Sequence, residues 1–176
     1  MSAPCGAGKF IIFSLAIDLL RVKTAIPNGV GLVILPLTAP MEEFCRNNND
    51  IAYIAMDGQV KSVDGLNVSM EDAISGNYKL IYGHGESFNT PSGRELTKNV
   101  EGRIILIAKD EAHVSFLDQW GGSFRTELYS VPAELKAQAN KNAPCFIASA
   151  TFTLEDEEKI KKMMKIRKNL VIIRQG

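Results

Sequence analysis

Phe10-Ile11-Ile12-Phe13-Ser14-Leu15-Ala16-Ile17-Asp18-Leu19-Leu20-Arg21-Val22-Lys23-Thr24 can be read with two periods. With period two, Ile11, Phe13, Leu15, Ile17 and Leu19 share one face of a strand, while Ser14, Ala16 and Asp18 share the other. An amphipathic helix is the competing reading of the same residues. The density of Phe and Ile, and the lack of a capping residue ahead of the run, favour the strand. With a strand here, the chain shows no regular alternation of strands and helices.

Downstream, Pro27-Asn28-Gly29 marks a turn, and Val30 to Leu35 reads as the next strand. Thr38 caps a short helix carrying Pro40, Glu42 and Glu43, which fades at Arg46 to Asp50. Ile51 to Met56 and Gln59 to Val63 form a hairpin around Asp57-Gly58, a dipeptide suited to a turn with φ > 0. Ser69 with Asp72 is a capping-box pattern, and Tyr78 to Tyr82 is a strand. Residues 83–99 are rich in turn formers and read as one long loop, a kind usually functional or mobile. Arg103 to Ala108, His113 to Leu117, Ser123 to Tyr129 and Cys145 to Phe152 read as strands. Lys109-Asp110-Glu111 joins the first two of these. Ser130 with Pro132 opens a helix to Ala139, Thr153 with Asp156 caps the last helix, and Leu170 to Ile173 ends the chain as strand or helix. The pattern predicts one α+β domain over residues 1–176, with a largely antiparallel sheet, a few helices on one face and a loose segment 1–9.

The 176 residues are 45% hydrophobic and 23% charged, enough to bury a core, which excludes a disordered chain. Cys5, Cys45 and Cys145 are widely spaced, and their odd number suits a reduced, cytoplasmic protein. Lys9 and the apolar run after it resemble a short signal-peptide core, but Asp18 interrupts the run and no small-residue cleavage site follows. No run reaches the ~18 apolar residues that a membrane-spanning helix needs.

Candidate chemistry is sparse. Gly6-Ala7-Gly8-Lys9 invites a phosphate-loop reading. Such a loop needs Ser or Thr after the lysine to reach a metal, and a helix behind it to aim N–H groups and dipole at phosphate. Here Phe10 follows, and the preferred reading of the next segment is a strand. Cys145 lies in an apolar strand and reads as a core residue rather than a nucleophile served by His84 or His113. The two histidines and three scattered cysteines lack zinc-site spacing, so no metal or other cofactor is expected. Glu42-Glu43, Glu71-Asp72 and Glu155 to Glu158 all fall at helix starts, where the helix dipole accounts for them. Trp120, the one tryptophan, sits in Asp118-Gln119-Trp120-Gly121-Gly122 at a hairpin tip, where it anchors a partner or folds over the sheet edge.

The net charge of zero hides an asymmetry: residues 159–176 carry +7 and the remainder −7. Residues 154–176 read as a basic amphipathic segment. Ile160, Met163, Met164, Ile166, Leu170 and Val171 gather on one side, and Lys161, Lys162, Lys165 and Lys168 on the other. The bland reading packs its apolar side on the sheet and leaves a solvated lysine face. The functional one brings Lys161, Lys162, Lys165, Lys168 and Trp120 to an anionic membrane surface, to RNA or nucleoprotein, or to a sister subunit.

The leading strand Phe10 to Thr24, the helix Thr38 to Cys45, the strand Tyr78 to Tyr82, the middle loop, the hairpin pair and the basic end give an order of elements similar to that of plant rhabdovirus matrix proteins of the cytorhabdovirus type. This resemblance implies a non-enzymatic viral protein of host cytoplasm and virion that self-associates and contacts nucleocapsid and membrane. Two other functions stay open. One is a small α+β enzyme whose anionic-substrate site lies at 83–99, with His84 as acid–base group and Ser87, Thr90, Ser92 and Arg94 gripping the substrate. The other is a nucleic-acid binder acting through the terminal basic helix.

Overall fold

Val30–Leu35 (β1) is buried at all six positions, and so is Ile104–Lys109 (β5). Strands buried on both faces show no alternation, which marks a parallel sheet covered on both sides. The structure, a computed structural model, describes residues 9–36, 49–62, 64–112, 126–149 and 153–163. Ile51–Ile54 (β2), Val60–Lys61 (β3), Leu80–His84 (β4) and Cys145–Ile147 (β6) complete a six-stranded sheet of order β3-β2-β4-β1-β5-β6. The strands β2, β4, β1, β5 and β6 run parallel, and β3 pairs antiparallel with β2. The antiparallel α+β expectation is therefore corrected to a small, mostly parallel α/β domain with helices on both faces.

The correction starts at residues 10–24. Lys9–Thr24 is a helix (α1), not a strand. Its Phe13 and Ile17 bury against Val33, Leu35, Leu80, Tyr82 and Ile105 on one face of the sheet. Its outer side carries Ile11, Leu15, Leu19 and Val22, each between 59% and 83% exposed. A helix apolar on both sides fits period two nearly as well as period 3.6, which is why the sequence favoured a strand.

The opposite face is covered by Met70–Ser75 (α2), Gly85–Phe88 (α3), Pro91–Asn99 (α4) and Thr126–Gln138 (α5). Ala73, Phe88, Leu96, Val131 and Leu135 from these helices pack on Leu32, Ile34, Ile54 and Ile81. Each such fully buried aliphatic side chain stabilises the fold by roughly 2 kcal/mol. Leu154–Met163 (α6) packs against α5, burying Ile160.

A register shift lies between β1 and β5: Val30 pairs with Ile104, but Gly31 pairs with Leu106. Ile105 is the extra residue of a bulge, and Ile105 and Leu106 both join the α1 side of the core.

The expected hairpin is present. Ala55 N–H donates to Gln59 O at 2.9 Å, and Gly58 takes φ +85° in the turn, a value that suits glycine. The Ser69 cap forms as well, its Oγ accepting from Asp72 N–H at 3.1 Å. Thr153 and Asp156 cap α6 reciprocally, at 2.9 and 3.2 Å.

Residues 83–99 are not a loop; they are the end of β4 followed by α3 and α4. Thr90 caps α4 by accepting from Gly93 N–H at 3.1 Å, with Pro91 opening the helix. Gly93 lets α4 touch α3, since a Cβ there would lie 2.8 Å from Phe88 Cα. The strand expected over Ser123 to Tyr129 is corrected too: Thr126, Leu128 and Tyr129 open α5, which carries Pro132 in its interior. The expected helix at Thr38, the strand at His113 to Leu117, the strand or helix at Leu170 to Ile173, and residues 1–8 lie outside the described residues. Among the described residues no helix is long and apolar enough to cross a membrane.

Candidate functional site

Because five strands are parallel, their carboxyl ends share one edge. There Leu35 pairs with His84, Ile34 with Lys109, and Lys109 with Ile147. The chain leaves β1 for β2, past β4 on one side, and leaves β5 for β6 on the other side. Open α/β sheets bind ligands where adjacent strands send their connections in opposite directions, so the crevice lies between the carboxyl ends of β1 and β5.

The start of α1 reaches this same edge. A tight turn, closed by Gly29 N–H to Ile26 O at 3.0 Å, sends β1 back along α1. At the amino edge Asp18 meets Lys79 at 3.0 Å, and Arg21 Nε donates to Gly29 O at 2.8 Å. Nearer the helix start, Phe13 meets Phe146 of β6 edge-on, with ring centroids 6.4 Å apart. The 16-residue helix spans about 24 Å and the strand about 20 Å. Lys9 thus opens α1 at the carboxyl edge, on the face that α1 covers. The expectation that a strand follows Gly6-Ala7-Gly8-Lys9 is overturned: a four-turn helix does.

At the mouth of β5 the chain is tied on both sides. Asp110 N–H donates to Ile34 O at 3.0 Å, and Ala112 N–H to Ala148 O at 3.0 Å. Asp110 is 8% exposed, and its Oδ1 accepts from Glu111 N–H at 2.9 Å. Glu111 holds φ +45°, a left-handed conformation uncommon for a non-glycine residue. Strand alternation puts Lys109 on the α3 face, and Asp110 on the face that α1 covers. Lys109 is buried; desolvation pulls its ammonium down to about 8, with Glu86 of α3 opposing the shift. His84 is buried as well, with Nδ1 3.3 Å from Leu35 O, a contact in which a protonated Nδ1 donates.

The residues proposed to grip a substrate around His84 are employed locally instead. Ser87 Oγ lies 3.5 Å from Met56 Sδ, Thr90 caps α4, and Arg94 donates to Asn89 Oδ1 at 2.6 and 3.1 Å. A Cβ at Gly58 would meet Thr90 Oγ1 at 2.7 Å and Ser92 Cβ at 3.2 Å, so those side chains pack on the hairpin turn. His84 is buried at the end of β4 rather than carried on a loop. Cys145 pairs with Ile107 two strands beyond β1, and burial pushes its thiol up, against the pull of Lys136 Nζ at 3.3 Å. Among the described residues no group of His, Cys, Asp and Glu is arranged to hold a metal ion.

Of the basic-surface residues, Lys161 and Lys162 lie in α6. Lys161 pairs with Glu158, and Lys159 with Glu155 at 2.8 Å. Trp120, Lys165, Lys168 and His113 lie outside the described residues. The residues that sequence reasoning passed over are Asp110 and Glu111. The signal was a carboxylate pair one residue beyond a wholly apolar run, Ile104 to Ala108, and it was read as a hairpin connection.

The architecture defines an open, mostly parallel α/β domain whose carboxyl edge faces a helix start. No family model matches the chain. Over 172 residues, 94% of its length, it is 27% identical to the ATP-dependent helicase wrn-1 of Caenorhabditis elegans. It spans 15% of that relative. Its structure is similar to that of the UvsW helicase from bacteriophage T4, with a TM-score of 0.53 and 14% identity, over 93% of this chain and 50% of that one. At that identity the likeness concerns the fold. With the parallel sheet, these likenesses overturn the resemblance to rhabdovirus matrix proteins. The viral, virion and assembly-protein readings fall with it.

Proposed function

We propose that this chain is a nucleoside-triphosphate-binding domain of the helicase type, acting within the machinery of nucleic-acid unwinding. The observation that carries the reading is the meeting of α1 with β5. The helix begins at Lys9, behind Gly6-Ala7-Gly8, and its start faces the crevice where Asp110 and Glu111 follow β5. Free N–H groups and the dipole at a helix start attract phosphate, and Lys9 adds a full positive charge. That the C. elegans relative is an ATP-dependent helicase supports ATP as the nucleotide. The basic run from Lys159, including Lys161, Lys162, Lys165 and Lys168, supplies charge suited to a nucleic-acid backbone.

A fluorescent ATP analogue titrated against the chain tests this. Lys9→Ala is expected to weaken binding by about tenfold or more, as loss of one charge-assisted phosphate contact predicts. The unfolding transition should stay in place. Equal affinity in the two proteins would put the nucleotide elsewhere and sink the reading.

A further inference from the structure

Phosphate loops hold their divalent cation through a Ser or Thr hydroxyl directly after the lysine, together with a carboxylate at a neighbouring strand end. The second partner is present as Asp110, with Oδ1 already accepting the Glu111 N–H at 2.9 Å. The first is not: Phe10, second residue of α1, has no oxygen to offer. Among the described residues next to it along α1, none substitutes for it. Ile11, Ile12 and Phe13 have no side-chain oxygen either. Ser14 lies five residues beyond Lys9, so about 7.5 Å along the axis and well round the helix from it. By its sequence the donor set therefore does not fit a magnesium ion, whereas residue types suited to phosphate remain: the helix start and Lys9 behind Gly6-Ala7-Gly8.

We infer that this site holds the phosphates of a nucleoside triphosphate without a divalent cation, so that the domain is a nucleotide-retaining module rather than one that turns nucleotide over. The inference rests on the phosphate-site reading of α1. It differs from an ordinary phosphate site in its cation dependence. There the metal bridges phosphate oxygens to the protein, and its removal weakens binding. Here its removal should leave binding unchanged.

The test measures ATP binding by titration calorimetry in excess magnesium and in excess EDTA, for the chain, Phe10→Ser and Lys9→Ala. Circular dichroism melts confirm that each is folded, and Phe10→Thr serves if the serine variant is poorly folded. The expected result is the same affinity for the chain in both buffers, within about twofold. A magnesium-dependent gain of about tenfold should appear in Phe10→Ser, in line with one regained metal ligand. Tenfold tighter binding by the unaltered chain in magnesium would overturn the inference while leaving the nucleotide reading standing. A Phe10→Ser variant with no gain would overturn it as well. Absence of binding by the chain and both position-10 variants in either buffer would instead remove the nucleotide reading itself.

Discussion

Lys79 enters β4 at the amino edge of the sheet, and Lys109 leaves β5 at the carboxyl edge. Lys79 reaches Asp18 of α1 and Asp50 ahead of β2, at 3.0 Å each, with 13% of its side chain exposed. Burial alone would lower its pKa, but the hydrogen bonds and charges of Asp50 and Asp18 outweigh burial and raise it. Lys109 is 3% exposed; Glu86 opposes the shift, but desolvation is the larger effect and its pKa falls to about 8. Around Lys79 the other cations are fastened too. Arg21 Nη2 donates to Gly76 O at 3.1 Å, and Arg103 Nη2 to Ile74 O at 2.5 Å. The amino edge uses charge to close the domain. The carboxyl edge keeps the Lys109 amine buried at a cost in stability.

The sharpest test of this contrast is Lys109→Met. Its folded pKa of about 8 lies below the unfolded value near 10.5, so the unfolded chain holds more protons between those values. Stability should therefore rise from pH 8 to 10.5 as the buried amine discharges, by roughly 3 kcal/mol at most. Lys109→Met should remove that rise and leave the domain as stable at pH 7 or more so, by chemical denaturation. A drop of ~3 kcal/mol at pH 7 would mean instead that the pairing with Glu86 outweighs desolvation. Arg21→Ala should cost about 2 kcal/mol through two lost charge-assisted hydrogen bonds to carbonyls, with ATP affinity held within about twofold. A large affinity loss in that variant would erase the division between edges. Lys79→Met should have the smallest effect, about 1 kcal/mol, and less at high salt. Because the Lys79 pKa is raised, its contribution is present below 10.5 and fades as pH climbs through the higher folded value, opposite in sign to Lys109.

Local signals in the sequence were legible where one residue type sets the backbone. The Asp57-Gly58 turn and the Ser69 and Thr153 caps all form as read, because each depends on neighbours within a few positions. Long-range pairing was not legible. Val30 to Leu35 and Ile104 to Ala108 are continuous apolar runs, and that continuity announces parallel strands more clearly than any alternation. It was outvoted by α1, whose outer leucines and isoleucine stay in solvent and blur the helical period. Once that helix was read as a strand, Gly6-Ala7-Gly8-Lys9 lost its context, and Asp110-Glu111 became a turn. His84, Ser87 and Thr90 drew attention through their glycine-rich surroundings, yet those residues build a strand end and two short helices.

The bulge at Ile105 sets the phase of everything after it. Side chains on a strand click between two positions, and one extra residue advances the sequence by a single click. Because Gly31 pairs with Leu106, Lys109 falls in step with Ile34 under α3, and Asp110 falls in step with Leu35 under α1. Were the bulge ironed out with Ile105 kept and paired with Gly31, every later residue would slip by one partner and the two would exchange. The amine would then come to the start of α1, and the carboxylate would turn away to the far side. The bulge thus decides which sign of charge the helix start confronts, and loss of Ile105, which lets Leu106 follow Ile104 directly against Gly31, keeps that sign.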